Sequence, residues 1–402
     1  MVKNLLSDRV LKMSVSATLK MTEMSRELKE KGIDIIPLSI GEPDFNTPEN
    51  VKEAAKLAID NNLTHYPPVP GLPVLREAIC KKLKRDNNLD YNVNQIVVST
   101  GAKHSLANIF MSILNDGDEV IVPSPYWVSY PEMIQLAGGK MISIPTTIDD
   151  GFKMSPEQLE KAITNNTKAF LFNSPSNPTG AVYTFEEINN LAKVLEKYPD
   201  ILIITDEIYE LINFEGGHFS FASFESLKDR VVLINGVSKG FAMTGWRIGY
   251  MAAPLEIAKA CTKLQGQFTS GASTISQAAA AEAISTNPEG SEELKTMLSQ
   301  FKKRRDLLVD LLREIPGVTT NVPGGAFYLF PDVSSYFGKS FGDRLIKDSS
   351  DMCLYLLEEA HVALVAGDAF GSPECIRISY ATSIDNIKEA VIRIKNSLEK
   401  LK

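Results

Sequence analysis

The sequence predicts an α/β protein with a mostly parallel sheet flanked by helices. Three observations carry that reading. From residue 95 onward, short apolar runs alternate with helical stretches in a strand–loop–helix rhythm. The runs are rich in Val, Ile, Leu and Phe, as expected of strands buried on both faces. At 402 residues, 44% hydrophobic and 23% charged, the chain has ample material for a core, in one large or two modest domains.

The elements follow in order. Residues 14–36 read as a helix, with Thr22, Met24, Leu28 and Ile33 forming an apolar stripe among charges and Gly32 as its stop. Residues 37–48 hold three prolines and Gly41, which fix an irregular, extended loop. Helices at 48–61 and 72–87 flank a second stiff loop, His65-Tyr66-Pro67-Pro68-Val69-Pro70-Gly71. A strand at 95–99 feeds a helix reaching about 114 through Thr100-Gly101-Ala102-Lys103. That small-residue turn at a helix N-terminus offers N–H groups to an anion, or is a routine strand-to-helix turn. Further strands are expected at 119–123, 140–144, 169–172, 201–205, 231–234 and 248–252. Two long helices then cover 254–285 and 291–314. The second carries Lys302, Lys303, Arg304 and Arg305, which read as a solvated face. The carboxyl third holds strands within 323–330, 362–365 and 376–380, and a last helix from 384. In 376–378 the two isoleucines share one face, and Arg377 takes the other.

Charge and cysteine usage narrow the function. The net charge is -8, from 50 acidic against 42 basic residues, which argues against a general nucleic-acid or membrane surface. Cys80, Cys261, Cys353 and Cys375 are scattered without a C-x-x-C pair, fitting free thiols in a reducing compartment. His65, His104, His218 and His361 lack ligand spacing, so no catalytic metal is expected and they read as surface or packing residues. No run of 18 apolar residues occurs, and the first 13 residues lack the uninterrupted apolar core of a signal peptide. A cytoplasmic enzyme is expected.

The chemistry gathers at Gly236-Val237-Ser238-Lys239-Gly240-Phe241-Ala242-Met243-Thr244-Gly245-Trp246-Arg247-Ile248-Gly249. Lys239 sits just past an apolar run, among small residues, with no acidic residue near it in sequence. A lysine amine that attacks a carbonyl must be neutral, and a weakly solvated place lowers its pKa. Arg247, eight positions on, is a natural fork for a phosphate. Together they suggest an aldehyde cofactor that carries a phosphate, pyridoxal phosphate. The stretch from Ser238 to Gly249 resembles the cofactor-lysine segment of the class I aminotransferases, in the aspartate aminotransferase-like subgroup. Matching segments run in order from about Ser14 to Ser383.

That resemblance implies a fold type I architecture. A large cofactor domain would cover 49–290, and a small α/β domain would combine 1–48 with 291–402. Lys239 would be the catalytic lysine. Gly101, Ala102, Lys103, Ser238 and Arg247 would hold the phosphate end, and Tyr66 would reach the phosphate of a partner subunit in a homodimer. Trp127, in the polar loop Ser124-Pro125-Tyr126-Trp127, would lie on the ring. Asn173-Ser174-Pro175-Ser176-Asn177-Pro178-Thr179-Gly180 is similar to the family's Asn-Pro-x-Asn-Pro-Thr-Gly, with Ser174 additional. Asn177 and Tyr209 would donate to the ring's 3-oxygen. Asp206, at the carboxyl end of a strand where α/β sheets bind ligands, would face the ring nitrogen. Glu207 reads as a supporting or surface residue. Arg377 with Asn177 would grip the substrate's α-carboxylate, Gly41 through its backbone and Trp127 would also meet substrate, and Lys103 would take either the phosphate or a distal carboxylate.

The expected reaction is ping-pong transfer of an amino group, from aspartate to 2-oxoglutarate. Aromatic, prephenate or broad specificity stays open, as does a β-lyase on the same fold. A different class is also written in the sequence. Gly236-Val237-Ser238-Lys239-Gly240 fits G-x-S-x-G, which would make Ser238 a hydrolase nucleophile with Asp332 and His361.

Overall fold

In the computed structural model, which describes residues 5–402, the chain is built around a seven-stranded sheet. The strands in chain order are β1 (Ile36–Pro37), β2 (Ile96–Ser99), β3 (Glu119–Ser124), β4 (Lys140–Pro145), β5 (Thr167–Asn173), β6 (Leu202–Asp206), β7 (Val231–Gly236) and β8 (Gly249–Ala252). The large sheet has the order β2-β8-β7-β6-β5-β3-β4. β8 runs antiparallel to both neighbours, and the other pairings are parallel. The apolar runs alternate between two cores. Val231 and Leu233 join one hydrophobic cluster, while Val232 and Ile234 join the cluster on the other face.

The remaining strands make smaller sheets. These are β9 (Tyr328–Leu329), β10 (Ser340–Phe341), β11 (Arg344–Leu345), β12 (Val362–Ala363), β13 (Val365–Ala366) and β14 (Ile376–Ser379). β1 pairs with β12, β10 with β11, and β14 lies between β13 and β9. Arg377 therefore sits on a central strand and is 2% exposed.

Two expectations need correction. The helix expected at 254–285 is two helices, Leu255–Phe268 and Thr274–Ser285. The break at Ser270-Gly271-Ala272-Ser273 includes Ser270 in the left-handed region (φ 63°), and Ser273 caps the new helix through the Ser276 N–H. The basic cluster on the helix Glu292–Arg313 is only half solvated. Arg304 and Arg305 are buried, because their positions share the helix face of Phe301, Leu308 and Leu312. Arg304 pairs with Asp44 at 2.6 Å and lies over the Phe45 and Phe301 rings. Arg305 donates to the Pro323 carbonyl at 2.9 Å. Among the described residues no helix is long and apolar enough to cross a membrane.

Candidate active site

The carboxyl edge of the large sheet collects the loops that carry chemistry. β3, β5, β6 and β7 all end there, because they run parallel. β8 runs the other way, so it begins at that edge. This is why Lys239, just after β7, and Arg247, just before β8, meet at one place. They line a cavity of 440 Å³ together with Gly41, Ala102, Lys103, Trp127, Asn177, Asp206, Tyr209, Ser238 and Arg377.

The Lys239 amine donates to the Gly41 carbonyl at 2.6 Å. Burial pushes its pKa down to about 8, with Arg377 and Arg247 adding to the effect and Glu42 opposing it. Asp206 ends β6 and is 4% exposed. Its carboxylate accepts from the Tyr130 hydroxyl at 2.8 Å and the Ile208 N–H at 3.3 Å. Burial raises its pKa to about 6 despite those bonds. Such a carboxylate ionises fully when a cation meets it.

At one end of the cavity two cations stand together. Arg247 has left-handed backbone (φ 57°) and donates to the Thr244 carbonyl at 2.8 Å. Its guanidinium lies against Gly101, where any Cβ would collide with it. The Lys103 amine sits 4.8 Å over the Trp127 ring. Its pKa is lowered, first by burial and then by Arg247. No carboxylate of the described residues pairs with either cation. With the N-terminus of the helix Ala102–Ile113 beside them, they make a socket for an anion.

A second anion site faces the amine. Arg377 donates to Asn177 Oδ1 at 3.0 Å and to the Ser39 carbonyl at 2.8 Å, while its Nε has no partner among the described residues. Its guanidinium stacks 4.5 Å from the Tyr328 ring. The Tyr328 hydroxyl bonds to that of Tyr209 at 2.8 Å.

Tyr66 stays outside: it is 93% exposed and does not line this chain's cavity. The hydrolase alternative is not assembled. Ser238 lines the cavity, but Asp332 and His361 do not, Asp332 being bridged to Thr319 and Cys375. His218 and Glu207 form a buried pair 2.8 Å apart with side chains 8% and 1% exposed, so of the expected alternatives His218 is a packing residue and Glu207 a supporting one. Sequence reasoning did not single out Tyr130, Asn173 or Tyr328. Asn173 donates to the Asp206 carbonyl at 2.7 Å and accepts from the Asn177 N–H at 2.9 Å, tying the β5 loop to the β6 loop. Its place at the carboxyl end of β5 was the available signal. Ser16, Thr18 and Leu19 also reach the cavity, from the start of the helix Ala17–Glu30.

Comparisons with known proteins find relatives along nearly the whole chain. A family model for aminotransferase class I and II matches residues 33–394. An aspartate aminotransferase from Pinus pinaster is 46% identical over 396 residues, covering 98% of this chain and 80% of that protein. An aspartate/prephenate aminotransferase from Cereibacter sphaeroides is 48% identical, covering 97% of this chain and 98% of that one. The crystal structure of the aspartate aminotransferase from Rhizobium meliloti superposes with a TM-score of 0.95 at 42% identity, over 100% of both chains. That of the Thermus thermophilus enzyme with maleate gives 0.92 at 41%, covering 98% of this chain and 100% of that one.

Proposed function

The chain belongs to the class I and II aminotransferases, and from that premise we propose a ping-pong transfer of the amino group of aspartate to 2-oxoglutarate, dependent on pyridoxal phosphate. The observation that carries this is the Lys239 amine, buried, drawn down to about pKa 8, and placed in one cavity with Asp206 and two arginines that lack carboxylate partners. At neutral pH about a tenth of such an amine is unprotonated, enough to serve as nucleophile and base.

The residues fit the cofactor. Arg247, Lys103, Ser238 and the Gly101–Ala102 turn would receive its phosphate, Trp127 its ring face and Asp206 its ring nitrogen. Asn177 and Tyr209 would bond its 3-oxygen, and Lys239 would take its aldehyde. When bound, that group supplies an electron sink for the substrate's α-carbon. Asp206, ionised against a protonated nitrogen, keeps the sink effective. Arg377 grips the α-carboxylate by two parallel bonds, and Asn177 holds the guanidinium square to it. Lys239 Nζ takes the proton from the substrate's α-carbon, and the Gly41 carbonyl is the resting partner it leaves.

Lys103 would serve either the cofactor's phosphate or a substrate's distal carboxylate, and the second role suits aspartate and 2-oxoglutarate. Prephenate as acceptor is the second reading, since relatives at 45–48% identity are named for both substrates. We further infer domains of 49–290 and of 1–48 with 291–402, a homodimer in which Tyr66 enters the partner's site, and a cytoplasmic setting, for which the four free cysteines speak.

The test is direct. Borohydride reduction of the protein with pyridoxal phosphate is expected to fix the cofactor on Lys239, read by peptide mass. A panel of amino donors with 2-oxoglutarate and with prephenate then sets the substrate pair. Label on another residue, or undiminished transfer by Lys239→Ala, overturns the reading.

A further inference from the structure

Behind the turn that carries Asp206 lies a second group of charges. Of residues 206–210, Asp206, Ile208 and Tyr209 line the cavity, whereas Glu207 and Glu210 do not and are 1% and 8% exposed. Glu210 is well compensated. It accepts from Lys82 at 2.6 Å, from Asn87 at 2.6 Å and from Asn235 at 2.7 Å. Burial opposes its ionisation, but Lys82 and His218 outweigh burial and hold its carboxyl down at about 2.

Glu207 has a thinner supply. Its oxygens meet the Thr205 hydroxyl at 3.0 Å and His218 Nε2 at 2.8 Å. His218 is the one cationic partner of Glu207 among the described residues. The charged and titratable groups around His218 are Glu207 and Glu210 from the turn and Lys82 from the helix Pro73–Asn87. Tyr91 faces Glu207, and Tyr250 of β8 faces both glutamates, with Asp86 and Arg85 beyond it. A carboxylate this buried is tolerable only when a charge offsets it.

Glu207 is also the chain neighbour of Asp206 and adds to the upward push on its pKa, after the larger effect of burial. We propose that His218 is a positioning residue for the active site: as the imidazolium partner of Glu207, it cancels the charge standing beside Asp206 and so keeps Asp206 ionised. The inference rests on the pyridoxal phosphate reading above. Burial works against protonation of His218, but Glu207, 2.8 Å away, and then Glu210 outweigh it and raise its pKa from the usual histidine value. Were His218 neutral, the Glu207 charge would favour a protonated Asp206, and a protonated Asp206 offers no ion pair to a ring nitrogen.

The test uses the full-length, cofactor-free protein and pyridoxal phosphate as probe, with affinity measured across pH. His218→Gln keeps a donor for Glu207 and removes the charge. It is expected to move the acid limb of the profile up by about one pH unit, and so to weaken cofactor affinity about tenfold at pH 5 and about twofold at pH 7. Adding Glu207→Gln removes the uncompensated charge and is expected to return both readouts toward wild type. A packing role predicts the opposite pattern: each variant lowers Tm, while affinity and acid limb stay put. That result overturns the proposal. A measurement without variants guards against poor folding. Imidazole nitrogen resonances of the wild-type protein are expected to show His218 doubly protonated at neutral pH, and a neutral ring also overturns it. If wild type binds no pyridoxal phosphate, the proposed function falls and this inference with it. Normal binding by wild type and by His218→Gln alike removes only the role of His218.

Discussion

The Lys239 amine is held where its charged form is disfavoured, and this makes a stability prediction. Its pKa is lowered from 10.5 to about 8, so the cofactor-free protein carries the full penalty of a buried ammonium below pH 8. The penalty fades as pH rises from about 8 to 10.5. Lys239→Met is expected to abolish transfer while stabilising the cofactor-free protein at neutral pH by about 2–3 kcal/mol, less the bond to Gly41. Urea denaturation across pH checks it: the gain must shrink on the alkaline side. Asp206 has the opposite sense of shift for an acid, so its ionisation removes stability as pH climbs from the ordinary carboxylate range through about 6. Lys239, Arg247 and Arg377 were legible in the sequence because each sits in a dense local motif. Tyr130 was not, since its partner Asp206 is 76 positions away and nothing near Tyr130 announces the contact.

At the scale of elements, the helix Glu292–Arg313 shows how a charge run misleads. Arg304 and Arg305 keep register with Phe301, Leu308 and Leu312, so the apolar spacing was the better guide than the charges. Removing Arg304 leaves Asp44, with a side chain 32% exposed, without its partner and opens a space over Phe45 and Phe301. Arg304→Ala is expected to cost about 2–3 kcal/mol in chemical denaturation, against less than about 0.5 for the exposed Lys302→Ala. The strands of the large sheet were read to within a residue or two, because their apolar runs have few alternatives, whereas the two-residue strands β1, β10 and β11 were not read as strands. A further element-level test is Gly249→Ala at the first residue of β8. A Cβ there would strike the backbone of Gly101 and Ala102, at the start of the anion socket. Weaker affinity for pyridoxal phosphate, with lower Tm, is the expected result; unchanged affinity would mean that the socket does not depend on this close approach.

For the molecule as a whole, the α/β class was legible and the strand order was not. Nothing local tells β8 to insert between β2 and β7, since that choice is made by contacts between distant segments. Tyr66 is almost fully exposed on its stiff loop, and the role proposed for it requires a second copy of the chain. If two copies complete each other, mixing inactive Tyr66→Ala and Lys239→Ala proteins under exchanging conditions is expected to recover up to about a quarter of wild-type sites, because each mixed pair assembles one intact site. Activity of the mixture no higher than that of its parents would place Tyr66 outside the machinery.

The register Gly236↔Gly249 between β7 and β8 has a mechanical meaning. The twelve-residue span between them leaves and re-enters the sheet on a single rung, and each footing strand is bonded on its far side as well. The lysine is thus a limber arm bolted to masonry. The four-carbon stem of Lys239 supplies the torsions that can move its amine, over a loop whose two ends are held in paired strands.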